Sequence, residues 1–170
     1  RDVLREVENL PESVDKSHAL ADVLLRGWWW IPGDKNDALL ERIADAAIEG
    51  KNEEVMSNIV AKEDAKFWKS GAVDFIRNKQ IPRLEKAGLS KTLGREWFWL
   101  GYSYFCDGRD AEGDKAYDKA REILTPGDAY YVLVPYTRKI NKILAENYKE
   151  RSEKQYFIGS YIDEFRLTDK

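Results

Sequence analysis

Apolar side chains along this chain recur at intervals of three and four residues, and nearly every segment reads as helix. Val3, Leu4, Val7 and Leu10 mark a short first helix, stopped by Pro11. Leu20, Val23, Leu24 and Gly27 share one face of a second, with Ser13 or Ser17 as its cap. That helix runs out at Trp28-Trp29-Trp30-Ile31-Pro32-Gly33, where Pro-Gly predicts a turn. A third turns Leu39, Leu40, Ile43, Ala46 and Ala47 inward, capped by Asp34 or Asn36 and stopped by Gly50. Asn52 is suited to cap a fourth that carries Val55, Ile59 and Val60. Phe67, Trp68, Ala72, Phe75 and Ile76 predict a fifth over 63–77, and Pro82 opens a short sixth closed by Gly88.

Two clearer helices follow. Thr92 is the predicted cap of one running to about Phe105. Asp107-Gly108 makes a turn, a second helix covers about 110–124, and Pro126-Gly127 ends the pair. A further helix spans about 129–148 with Pro135 inside it. The tail over 152–165 is read as helix, although Tyr156, Ile158 and Tyr161 also suit a strand. Nothing in composition splits the chain, so the expected fold is one all-α domain over 1–170.

Trp97, Leu100, Gly101 and Tyr104 fall at i, i+3, i+4 and i+7, one stripe of a helix. A mid-helix glycine costs roughly 1 kcal/mol against alanine, so Gly101 implies close approach of a second helix. Gly113, Tyr117 and Ala120 form the matching stripe on the next helix, and Pro126 lies at its exit. This series resembles a tetratricopeptide repeat over about 92–126. The flanking segments match poorly. The resemblance implies antiparallel helix pairs in a short right-handed α-solenoid, with the other helices as divergent repeats or caps.

In that family the first helix of each pair lines a concave groove. The resemblance therefore makes Arg95, Phe98, Tyr102 and Phe105 the candidate partner-binding positions. Family members that grip a terminal carboxylate use Lys and Asn there. Phe98 and Tyr102 stand in those places and argue against that activity. Two readings of this all-round apolar helix stay open: a groove for an apolar peptide or partner helix, or a central helix covered by the chain's own terminal helix.

Consecutive helical residues point about 100° apart, so Trp28, Trp29 and Trp30 cannot all face one core. They are a candidate aromatic anchor for a partner or a second copy.

Lys and Arg total 28 against 31 Asp and Glu, a net charge of −3, which argues against nucleic acid as main partner. No apolar run reaches the length of a membrane span. One histidine, His18, and one cysteine, Cys106, suggest no catalytic residues, no metal site and no cofactor motif. The sequence opens at Arg1 without a signal peptide, which leaves both the cytoplasm and export with a removed signal open. The expected function is a non-enzymatic adaptor that binds a protein or peptide. A carrier of a small hydrophobic ligand and a self-associating subunit are the alternatives.

Overall fold

The computed structural model describes residues 2–27 and 36–168. Trp28, Trp29 and Trp30 lie outside the described residues. The protein is all-α, with no strand among those residues. Its helices are α1 (Val3–Glu8), α2 (Val14–Gly27), α3 (Asn36–Glu49), α4 (Glu53–Ala65), α5 (Ala72–Phe75), a π-helical turn (Ile76–Gln80), α6 (Ile81–Ala87), α7 (Ser90–Cys106), α8 (Asp110–Ile123), α9 (Ala129–Asn147) and α10 (Arg151–Thr168).

Two boundaries differ from the periodicity. The predicted helix over 63–77 is broken after Ala65 and restarts behind Gly71, whose φ of +79° suits only glycine cheaply. The restarted helix then runs without a gap into the segment expected to begin afresh at Pro82. Ile81 N–H donates five residues back to the Ile76 carbonyl, so the register widens by one residue just before Pro82, which has no N–H to offer. Thr92 is not a cap. It sits 2% exposed in the first turns of α7, where its N–H donates to Glu53 Oε1 at 3.1 Å and its hydroxyl pairs with Ser57 at 2.9 Å.

The described residues group into two compact units, Arg1–Lys66 with Leu84–Thr92, and Phe67–Arg83 with Leu93–Lys170. In the first, Leu24, Leu40, Ile43, Val55, Met56 and Ile59 are buried along the inward faces of α2, α3 and α4. Asn52 caps α4 by accepting from Val55 N–H, and its amide donates to the His18 carbonyl and to Asp22, both at 3.1 Å. His18 Nδ1 lies 3.1 Å from the Gly50 carbonyl, which fixes the proton on Nδ1. The turn between α3 and α4 is thus stitched to α2. Helix α1 contributes no buried residue.

In the second unit, α7 and α8 meet through glycines. A Cβ on Gly101 would lie 3.0 Å from the Tyr117 ring and 3.1 Å from the Gly113 carbonyl oxygen. The helix-propensity cost of Gly101 is thereby offset by close packing. Tyr117 is fully buried over that glycine. Phe98, Phe105, Leu133, Val134, Ile158 and Ile162 complete the core around it.

Candidate partner-binding site

The stripe that the tetratricopeptide resemblance assigns to a groove lies inside the second unit. Phe98, Tyr102 and Phe105 are 0%, 6% and 1% exposed. Phe98 meets Tyr130 and Tyr117 edge-on, with ring centres 5.0 and 5.4 Å apart. Phe105 stacks on Tyr117 at 5.7 Å, and Tyr102 lies edge-on to Trp68 and Trp99. Ile158 and Ile162 of α10 join the same cluster. The stripe is therefore covered by the chain's own helices rather than open. Arg95, the fourth position, is an anchor between elements. Its guanidinium pairs with Asp128 at 3.3 Å and lies over the Tyr130 ring at 4.9 Å. Asp128 in turn caps α9 by accepting from Tyr130 N–H.

Helix α10 is also tied to α7 by polar contacts. Arg151 pairs with Asp107 and donates to the Trp68 carbonyl at 3.0 Å and the Ser103 carbonyl at 3.4 Å. Lys154, 5% exposed, donates to the Phe105 carbonyl. Arg151 and Lys154 meet the last turn of α7, where the Ser103 and Phe105 carbonyls also accept from Asp107 and Gly108 N–H and the helix dipole is negative. Tyr102 donates to the Gln155 carbonyl at 3.4 Å.

Burial favours the neutral form of the Cys106 thiol and of the Tyr102 and Tyr117 phenols. It pushes the Cys106 thiol from 9.0 up to about 12, with Arg151 opposing, and raises Tyr102 and Tyr117 above the ordinary phenol value. Below about pH 8 these groups are protonated in folded and unfolded chain alike. Above it the unfolded chain releases protons that the folded chain keeps, so stability falls as pH climbs toward 12. The urea midpoint is expected to drop between about pH 8 and about pH 11, with Cys106 contributing on the order of 1–2 kcal/mol. In Cys106→Ala the drop should be smaller. An equal drop would mean that the thiol ionises freely in the folded state.

An accessible concave surface of this unit lies between α8 and α9. A groove of about 620 Å³ has Val134 and Pro135 as its apolar floor and Asp118, Arg121, Arg138, Lys139 and Lys142 as its walls. Pro135 explains part of its construction. A proline inside a helix deprives the carbonyl four residues earlier of its donor. That carbonyl belongs to Tyr131, and Arg121 reaches from α8 to donate to it at 3.3 Å while lying 3.8 Å over the Tyr131 ring. Arg138 spans Asp114 at 3.0 Å and Asp118 at 2.6 Å. Burial lowers its affinity for the proton, but the two carboxylates outweigh this and raise it, so the wall is permanently cationic. Beside the groove, α9 exposes Val132 at 43%, Tyr136 at 54% and Ile143 at 48%. They fall at i, i+4 and i+11, one stripe of the helix.

The sequence reading passed over this face. The available signal was the pairing of an in-helix proline with Arg138, Lys139 and Lys142 on one side and an apolar stripe on the other.

Among the described residues no group of three or more His, Cys, Asp or Glu could hold a metal ion, and no helix is long and apolar enough to cross a membrane. No family model, no curated protein and no solved structure matches this chain.

Proposed function

We propose that this chain is a non-enzymatic interaction module, built from tetratricopeptide-like helix pairs, that binds a polypeptide partner. The partner surface is the outer face of α9 with the adjoining cationic groove. The observation that carries this reading is the stripe Val132, Tyr136 and Ile143, three large apolar side chains 43–54% exposed along one helix face. Single exposed apolar residues are ordinary, but an aligned set beside a groove is the usual mark of a docking surface. The glycine-mediated approach of α7 and α8 supports the repeat-like packing. In this reading Phe98, Tyr102 and Phe105 serve from within, by seating α9 and α10 so that the outer face is rigid. Filling of that stripe by the chain's own rings disfavours the carrier alternative.

The test is Tyr136→Asp with Ile143→Asp in the full chain. Both positions are exposed, so the thermal midpoint should stay within a few degrees, the shift of about 0.5 kcal/mol or less usual for surface changes. Partner binding should fall at least about tenfold. Unchanged partner binding with an intact fold would refute the assignment of this face.

A further inference from the structure

We propose that the partner received by the α8–α9 face is a second copy of this chain, through its acidic N-terminal segment. This rests on the reading of that face as a docking surface and names its occupant.

The argument begins with α1. It is six residues long and buries no residue. Helices this short are unstable alone and form through packing of an apolar face. Yet the segment exposes Val3 at 48%, Leu10 at 49% and Val14 at 55% within twelve residues of one another. Residues 1–16 carry five acidic side chains, Asp2, Glu6, Glu8, Glu12 and Asp15, against Arg1, Arg5 and Lys16. Glu8 pairs with Arg42 and Glu12 with Lys16, and over the whole segment acidic side chains outnumber basic ones.

The α8–α9 face has the opposite charge and the same kind of apolar content. Arg121, Arg138, Lys139 and Lys142 line the groove against Asp118, with Asp114 beside it. Val132, Tyr136 and Ile143 run alongside. The span from Val132 to Ile143 is about 16 Å of helix, room for an apposed element of two to three turns. Each face alone leaves apolar side chains in water beside a net charge, opposite in sign on the two faces, although Arg138 and Lys142 already meet Asp114. Apposed, they cover the apolar groups and pair the charges. The two faces differ, so the contact is head-to-tail, and one copy keeps a free groove while the other keeps a free N-terminal segment.

That asymmetry makes the test decisive. Sedimentation velocity of the full chain in low salt, about 0.02 M, should show association growing with concentration and retreating at about 0.5 M. Lys139→Glu with Lys142→Glu inverts the groove. Glu6→Lys with Asp15→Lys inverts the N-terminal segment. Each variant alone should self-associate at least about tenfold more weakly. Mixed one to one, they should associate again in alternation, because the unaltered segment meets the unaltered groove and the inverted segment meets the inverted groove. All four substitutions in one chain should restore association.

A chain that stays monomeric to about 1 mM in low salt would overturn the proposal. So would groove-inverted protein that associates as well as the unaltered chain, or a mixture that remains monomeric. If the chain is monomeric but a different protein binds and is lost in Tyr136→Asp with Ile143→Asp, self-pairing fails and the docking face survives. If nothing binds there, both fail.

Discussion

Gly50→Ala is expected to be the most damaging single-atom change in the N-terminal unit. A Cβ at this position would lie 2.1 Å from His18 N, 2.5 Å from His18 Cα and 2.6 Å from the Ser17 carbonyl carbon. All three are backbone atoms, so no rotamer change relieves the clash. Helix α2 has to back away from the α3–α4 turn. That movement stretches the bond from Asn52 to the His18 carbonyl and the contact of His18 Nδ1 with the Gly50 carbonyl. Overpacking costs about 1–3 kcal/mol, and each weakened hydrogen bond adds about 1 kcal/mol, so a loss of about 3 kcal/mol or more is expected. Gly27→Ala is the control, since a Cβ there meets nothing within 4 Å. Urea denaturation followed by circular dichroism compares the two. If Gly50→Ala unfolds at the same midpoint as Gly27→Ala, the packing of α2 on this turn is wrong.

Gly113→Ala separates two ways of reading the same residue. Propensity favours alanine by about 1 kcal/mol, and alanine is the residue the tetratricopeptide resemblance leads one to expect at this position. The structure gives the opposite sign. A Cβ on Gly113 would lie 2.6 and 2.8 Å from Phe105 ring carbons and 3.1 Å from the Gly101 carbonyl oxygen. Phe105 is 1% exposed and stacked on Tyr117, so its ring has nowhere to retreat. The clash exceeds the propensity gain, and a net loss of about 1–2 kcal/mol is expected. Phe105→Leu with Gly113→Ala should cost less than the sum of the two single changes, because leucine vacates the ring edge that the methyl group strikes. Strict additivity, or a stabilised Gly113→Ala, would contradict the glycine-mediated crossing of α7 and α8.

The helices themselves were legible because their signals are local. The stripe of Ile43, Ala46 and Ala47 and the cap at Asn52 depend on neighbours within a turn or two. The close approach at Gly101 was legible for the same reason, as a propensity cost that required a packing explanation. The break at 66–71 was not, because Phe67, Trp68 and Phe75 keep helical spacing across it and only Gly71, at positive φ, betrays the interruption. Thr92 looked like a cap because its role depends on Glu53 and Ser57, more than thirty residues earlier.

The candidate site divides in the same way. The tetratricopeptide resemblance singled out Phe98, Tyr102 and Phe105 on α7. What covers that stripe is set by α9 and α10, whose docking depends on distant pairs such as Arg95 with Asp128 and Arg151 with Asp107. The α8–α9 groove is bordered by Arg121, which crosses between helices to the carbonyl that Pro135 orphans. No window along one helix contains that contact.

The central claim is that the outer face of α9 is where this chain meets another polypeptide. A photo-crosslinking residue placed at Tyr136 in the full chain tests it most directly, with the same residue at Lys115, exposed on α8, as the control. Irradiation under native conditions should give an adduct of added protein mass from position 136, whether a second copy or another protein, and little or none from position 115. Equal adducts from both positions, or adducts from 115 alone, would contradict the account.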